Sequence, residues 1–191
     1  MTTAELVALT RARLQARERR VVLGGPLIKA AVLLPIVDRD GPTLVLTKRS
    51  DRVGTHRGQI GFPGGRVDPS DAGFLEAALR ETEEEIGLPR GAVEPLGALD
   101  DTETVATQFV ITPWVGLVRE PIAWAPDGHE IERVIEVPFA TLRDPRALRV
   151  EQWERAGAWR EMYFWDLPGG ETIWGATARI LKHYLDVLAG D

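Results

Sequence analysis

Three glutamates, Glu81, Glu84 and Glu85, stand within five residues of one another, directly after Arg80. On a helix each residue turns about 100°, so relative to Glu81, Glu85 lies at roughly +40° and Glu84 at roughly −60°. Three carboxylates therefore share one side. Like charges one turn apart destabilise a helix, so the cluster needs a reason. One is a divalent cation, since hard oxygen ligands suit Mg²⁺ or Mn²⁺. The other is an ordinary solvated acidic face. Just upstream stands a basic, glycine-rich stretch. Residues 48–57 carry Lys48, Arg49, Arg52 and Arg57 against one acid, and Gly58, Gly61, Gly64 and Gly65 follow. Arginine suits bidentate contact with phosphate, and glycine lets the backbone approach an anion closely.

These residues need elements to hold them. Residues 72–87 read as a helix with Leu75, Leu79, Thr82 and Ile86 as its inward stripe, ended by Gly87 and Pro89. Ala77 and Ala78, one turn before Glu81, are expected to leave room beside the acids. Residues 29–37 read as a buried strand, 39–42 as a turn and 43–47 as a second strand of a hairpin. Residues 49–65 read as a loop. Strands are expected at 93–99, 108–118, 131–137 and 160–165, with turns at 126–128 and 166–170. A short helix is expected at 139–143. A closing helix is expected over 174–188, with Trp174, Thr177, Leu181, Leu185 and Leu188 inward. Residues 5–20 read as a surface helix with Leu6, Leu9 and Leu14 on one side and five arginines on a solvated face. The mixture is α/β, with residues 1–28 as an N-terminal helical extension and 29–191 as the main domain.

Composition narrows the classes. The 191 residues hold no cysteine, which excludes disulfide scaffolds, thiolate metal sites and cysteine nucleophiles. The longest apolar run, residues 30–37, is too short to cross a bilayer, and residues 1–20 lack the apolar core of a signal peptide. A soluble, cytoplasmic protein is expected. The net charge of −6 argues against nucleic acid as a partner, but it is uneven. Residues 1–65 hold 11 basic groups against 5 acids, and residues 66–191 hold 12 against 24. The basic segment 48–57 and the acidic segment 66–88 are expected to face one cleft.

Gly65, then five residues, Asp71, then eight residues, then Arg80-Glu81-Thr82-Glu83-Glu84-Glu85-Ile86-Gly87-Leu88 resembles the Nudix box, Gly-x5-Glu-x7-Arg-Glu-U-x-Glu-Glu-x-Gly-U, where U is bulky and apolar. Asp71 stands for the first Glu, the next spacer is one residue longer, and Thr82 replaces an apolar residue. The resemblance implies a mixed β-sheet sandwiched between α-helices. It implies hydrolysis of a nucleoside diphosphate linked to another group, with Mg²⁺ or Mn²⁺ as cofactor. Glu81 and Glu85 are the chief metal ligands it implies, with Glu84 assisting and the Gly65 carbonyl adding an oxygen. Arg80 is expected to orient a carboxylate, with Asp71 as candidate.

The stretch before the box is similar to the signature of the coenzyme A diphosphatase branch, Leu-Leu-Thr-x-Arg-Ser-x3-Arg-x3-Gly-x3-Phe-Pro-Gly-Gly. Thr47, Arg49, Ser50, Gly58, Phe62, Pro63, Gly64 and Gly65 match, whereas Gly54 stands at the signature's second Arg. Arg52 and Arg57 are candidates to replace it. Asp71 and the longer spacer also occur in this branch. Residues 130–139 and 173–178 are similar to it too. The implied reaction splits coenzyme A or its thioesters into 4′-phosphopantetheine, or its acyl form, and adenosine 3′,5′-bisphosphate. Lys48, Arg49, Arg52, His56, Arg57, Gln59 and Phe62 are the candidate substrate-binding residues, with Phe62-Pro63 read first as a rigid elbow. Glu130 is the candidate extra carboxylate outside the box, as ligand or general base. Asp100, Asp101 and Glu103 are its rivals, and His129 reads as a surface group. Another Nudix substrate, such as ADP-ribose or a dinucleotide polyphosphate, stays open, as do a non-catalytic nucleotide sensor and a homodimer.

Overall fold

The structure, a computed structural model, describes all residues except 25, 52–56, 105–107, 120–121, 156 and 191. Its centre is a mixed sheet. Strand β1 (Ile28–Asp38) runs parallel to β7 (Phe109–Val118) and antiparallel to β2 (Pro42–Arg49) and β4 (Gly64–Arg66). Outside β2 lie β3 (Ile60–Gly61) and β8 (Ile131–Pro138), and outside β7 lie β5 (Val93–Ala98) and β6 (Thr102–Glu103). The apolar run of β1 is covered on both faces, which is why it lacks polar alternation. Ala31, Leu33 and Val37 face one core and Leu34 and Ile36 the other, the period of two expected of a strand.

Helix α2 (Phe74–Ile86) covers the first face. Ala77 and Ala78 are fully buried in that core, so their small size serves the close packing of the helix on β1. Leu75 and Leu79 are only half-buried. Thr82 is fully buried, and its Oγ1 donates to the Ala78 carbonyl at 2.6 Å. That bond satisfies its hydroxyl where the box has an apolar residue.

The other face is covered by α1 (Thr3–Gln15) and α4 (Gly175–Ala189). Thr2 caps α1 in a capping box with Glu5. The helix stops five residues sooner than expected. Leu6 is fully buried in the larger core, and Thr10 Oγ1 meets the Tyr184 hydroxyl at 2.8 Å. The helix thus shares the core of the sheet. Four of the five arginines expected on a solvated face are instead paired with acids, while Arg13 is exposed and Arg20 stays largely in solvent. Arg11 pairs with Glu94, Arg17 and Arg20 with Asp100, and Arg19 with Asp101. Burial raises the Asp100 carboxyl, but hydrogen bonds from Arg20 and Arg17 outweigh it and hold the pKa at about 2.

A second sheet joins β9 (Leu148–Arg155), β10 (Ala158–Asp166) and β11 (Thr172–Ile173), after the short α3 (Phe139–Leu142). The sequence reading missed β9, because LRVEQWER lies at an edge with much of its surface in solvent and lacks a clean apolar period. Trp174 is 39% exposed and stands at the N-cap of α4, outside the core it was expected to join. No helix among the described residues is long and apolar enough to cross a membrane.

Candidate active site

The site forms where α2 meets β4 and the end of β2. The expected loop 49–65 holds two short strands, β3 and β4, around the Phe62-Pro63 elbow. The Pro63 carbonyl accepts from Leu33 N–H at 2.9 Å. Phe62 is 7% exposed and belongs to the larger core. It shapes the elbow and offers no face to a substrate, which corrects its place among the substrate-binding candidates.

Beyond the elbow both glycines are required. Gly64 has φ 145°, and a Cβ there would fall 2.3 Å from the Ala31 carbonyl oxygen. A Cβ on Gly65 would fall 2.4 Å from the carboxyl carbon of Glu81. The Glu81 side chain thus lies against the backbone of β4. Glu85, one turn on, accepts from the Gly64 N–H at 3.0 Å. Glu85 is 7% exposed, so this acid is not part of an ordinary solvated face. Burial pushes its pKa up to about 8, against the opposing pull of the Gly64 hydrogen bond and Arg49, and with the charges of Glu81 and Glu130 adding to the rise. Glu81 is also raised, first by burial, with Arg80 opposing and Glu84 and Glu130 adding to it. Glu84 is 57% exposed in its side chain and lies at the rim.

Arg80 holds this face together. Its Nε and Nη2 donate to the two oxygens of Asp71 at 2.9 and 3.0 Å. Nη2 also donates to the Arg66 carbonyl at 3.1 Å, and Nη1 reaches Glu81 at 3.1 Å and Glu84 at 3.2 Å. All five N–H groups of the guanidinium find acceptors, so Arg80 has no donor left for a substrate. The hydrogen bonds from Arg80 hold the Asp71 carboxyl below its usual range. A shorter side chain on a longer spacer thus reaches the arginine.

Glu130 joins the same cluster. The segment before it caps α2: Ala125 N–H donates to Ile86 O at 2.9 Å and Asp127 N–H to Glu85 O at 3.1 Å. The Asp127 carboxylate in turn accepts from the backbone of His129, Glu130 and Ile131. Ser50 N–H donates to the Glu130 carbonyl at 2.8 Å. Between Glu130 and Glu85 lies Arg49, with Nη2 at 3.2 Å from Glu130 Oε2 and Nη1 at 4.0 Å from Glu85 Oε1. Its Nε is buried with no hydrogen-bond partner among the described residues. The rivals of Glu130 lie elsewhere, with Asp100 and Asp101 committed to the N-terminal arginines and Glu103 exposed on β6. His129 is exposed.

The basic segment does not all face this cleft. Successive strand residues point to opposite sides. Lys48 is directed away from Arg49 and lies 3.4 Å from Glu171 and 4.0 Å from Glu132. Arg133 also pairs with Glu171. Gln59 accepts at its carbonyl from Arg49 N–H at 2.9 Å, and Arg57 is exposed at the start of the turn into β3. Arg52, Gly54 and His56 fall outside the described residues.

The donor set suits a hard divalent ion. Glu81, Glu85 and Glu130 offer carboxylate oxygens, and their mutual repulsion is felt by Glu85, which is buried, and by Glu81, which is half-buried. With their carboxylates drawn toward Arg49 and Arg80, no three acidic or histidine side chains among the described residues stand close enough to clasp an ion as they lie.

The NUDIX domain family matches residues 27–156. The chain belongs to the Nudix family. A Nudix hydrolase, NudL, of Yersinia enterocolitica is 40% identical over 158 residues, 80% of this chain and 77% of that protein. The NudL of Salmonella paratyphi B is 38% identical over 161 residues, 81% of this chain and 79% of its own length. Among solved structures, a MutT Nudix hydrolase from Burkholderia pseudomallei superposes with a TM-score of 0.51 at 22% identity, over 83% of this chain and 98% of that one. A Nudix hydrolase from Alicyclobacillus acidocaldarius gives a TM-score of 0.52 at 20% identity, over 63% of this chain and 83% of that one. These superpositions show the fold. As a Nudix hydrolase, the protein acts on the pyrophosphate bond of a small nucleoside diphosphate derivative.

Proposed function

We propose that this Nudix hydrolase cleaves the diphosphate of coenzyme A or its thioesters, giving 4′-phosphopantetheine, or its acyl form, and adenosine 3′,5′-bisphosphate. One observation carries the reading. The residues matching the coenzyme A diphosphatase signature form one unit against the box carboxylates. Arg49 stands beside Glu85 and Glu130, the Gly64 N–H binds Glu85, and Gly65 lies under Glu81. Thr47 supports that unit by donating from Oγ1 to the Gly61 carbonyl at 3.2 Å.

In this reading Glu81 and Glu85 hold Mg²⁺ or Mn²⁺, with Glu84 and the Gly65 carbonyl assisting. The ion, when bound, neutralises the diphosphate and acidifies water for attack. Arg49, beside Glu130 and Glu85, is placed to donate from its guanidinium to a diphosphate oxygen. Glu130 accepts the proton of the attacking water. Its backbone is anchored at both its N–H and its carbonyl while its carboxylate stays 52% exposed, free to reach solvent. Arg80 and Asp71 position Glu81 without touching substrate. The test is a panel of diphosphates with Mg²⁺ and Mn²⁺, with products identified by mass. Coenzyme A is expected to outpace ADP-ribose and dinucleotide polyphosphates at equal concentration. A preference for ADP-ribose overturns the reading.

A further inference from the structure

The cations around the site are almost all matched by acids. Lys48 and Arg133 share Glu171, Arg49 bridges Glu130 and Glu85, and Arg80 spends every donor. Arg66 differs. It ends β4 and is exposed, and no described carboxylate lies within ion-pair reach of it. Its guanidinium sits over the Phe109 ring, 5.4 Å from the centroid. Its carbonyl is pinned by Arg80 Nη2 at 3.1 Å, which fixes its backbone relative to the box helix. Asp68, two residues on, is engaged with Ser70, accepting at 2.8 Å from the backbone and 2.6 Å from the hydroxyl. A cleft of about 470 Å³ is lined by Arg66, Val67, Asp68, Ser70, Arg80 and Glu81. It has a metal-ligand candidate, Glu81, on one wall and an uncompensated guanidinium on another.

We propose that Arg66, seated on Phe109, binds a phosphomonoester of the substrate remote from the hydrolysed diphosphate, which in coenzyme A is the 3′-phosphate. This rests on the coenzyme A reading above. The ring supports the guanidinium from one side, and the exposed head keeps N–H donors for bidentate contact with a phosphate. Coenzyme A carries two anionic groups joined by one ribose. The carboxylate cluster, through its ion, serves the first, and the second needs a fixed cation in the same cleft. Arg66 has that position and no competing acid partner among the described residues. Because it is exposed, its replacement leaves both cores intact.

The experiment compares wild type, Arg66→Ala and Arg66→Lys on coenzyme A and on 3′-dephospho-coenzyme A, with calorimetric binding of adenosine 3′,5′-bisphosphate and of adenosine 5′-monophosphate. Removing a charge-assisted contact is expected to lower kcat/KM for coenzyme A by about 10- to 100-fold, chiefly through KM. Turnover of 3′-dephospho-coenzyme A is expected to change less than about twofold, because that substrate never makes the contact. Lysine is expected to restore part of the loss. Binding of the bisphosphate is expected to weaken in Arg66→Ala, with the monophosphate unmoved. Equal losses on both substrates, or none on either, overturn the assignment of Arg66 while leaving the coenzyme A reading standing. A wild type that cleaves ADP-ribose and neither coenzyme A form overturns both.

Discussion

Replacing Glu85 by glutamine tests how the carboxylate cluster is stabilised. Glu85 is 7% exposed, and without metal its pKa is about 8 against an ordinary 4.5. A carboxyl raised in the folded state binds its proton more tightly there than in the unfolded chain. Stability therefore falls as pH rises from 4.5, and the loss is complete above 8. The full interval of 3.5 units, 8 minus 4.5, corresponds to about 5 kcal/mol as an upper bound, and relaxation around the charge reduces it to a few kcal/mol. Glutamine keeps an oxygen for the Gly64 N–H and carries no charge. In chelator, Glu85→Gln is expected to melt near the wild type at pH 4.5 and well above it at pH 9, by roughly 5–10 °C for a domain of this size. Adding Mg²⁺ is expected to stabilise the wild type and not the variant, whose turnover falls by at least about 100-fold. Melting temperatures of the two proteins that run parallel from pH 4.5 to 9 refute the reasoning, since no buried charge is then being carried.

Three further expectations concern the residues around this cluster. Gly65→Ala is expected to push the Glu81 carboxylate aside, cutting turnover by about 100-fold or more while the melting temperature moves little, because only the end of a flexible side chain yields. Gly64→Ala meets backbone and is expected to unfold the elbow, so solubility and circular dichroism separate the two glycines. Asp71→Ala strips two of the five acceptors from Arg80 and is expected to cost about 1–3 kcal/mol in denaturant melts. Leu6→Ala removes a fully buried side chain and is expected to cost about 2–5 kcal/mol, which a dispensable helical extension would not show.

That three glutamates share one side was legible from their spacing on a helix, while their reading as a site, and the Arg80–Asp71 pair, came from the resemblance to the Nudix box. Arg80 and Asp71 meet as that resemblance implied, and Gly64 and Gly65 lie against Glu85 and Glu81. Other features left no local pattern. The pairing of Arg49 with Glu130 joins residues far apart in sequence, and only β8 lying beside β2 brings them together. The burial of Phe62 depends on the elbow turning inward, which its neighbours Pro63 and Gly64 do not reveal. The direction of Lys48 was available, since neighbours in a strand face opposite ways, and extending β2 by two residues would have separated it from Arg49. The N-terminal arginines read as solvent-facing because their acids, Glu94, Asp100 and Asp101, follow no helical period.

That arginine strap bears on how the chain is made. During synthesis residues 1–20 leave the ribosome well before the acids they close upon, which emerge some eighty residues later. Tyr184, which meets Thr10, comes later still. At about 5–20 residues per second, the first helix waits several seconds before its partners exist. A strongly apolar segment would be exposed to aggregation for that interval. This one carries its leucines among five arginines, which keep it dissolved until the sheet presents Asp100 and Asp101. The same charges that lock the finished fold thus act beforehand as the segment's own protection.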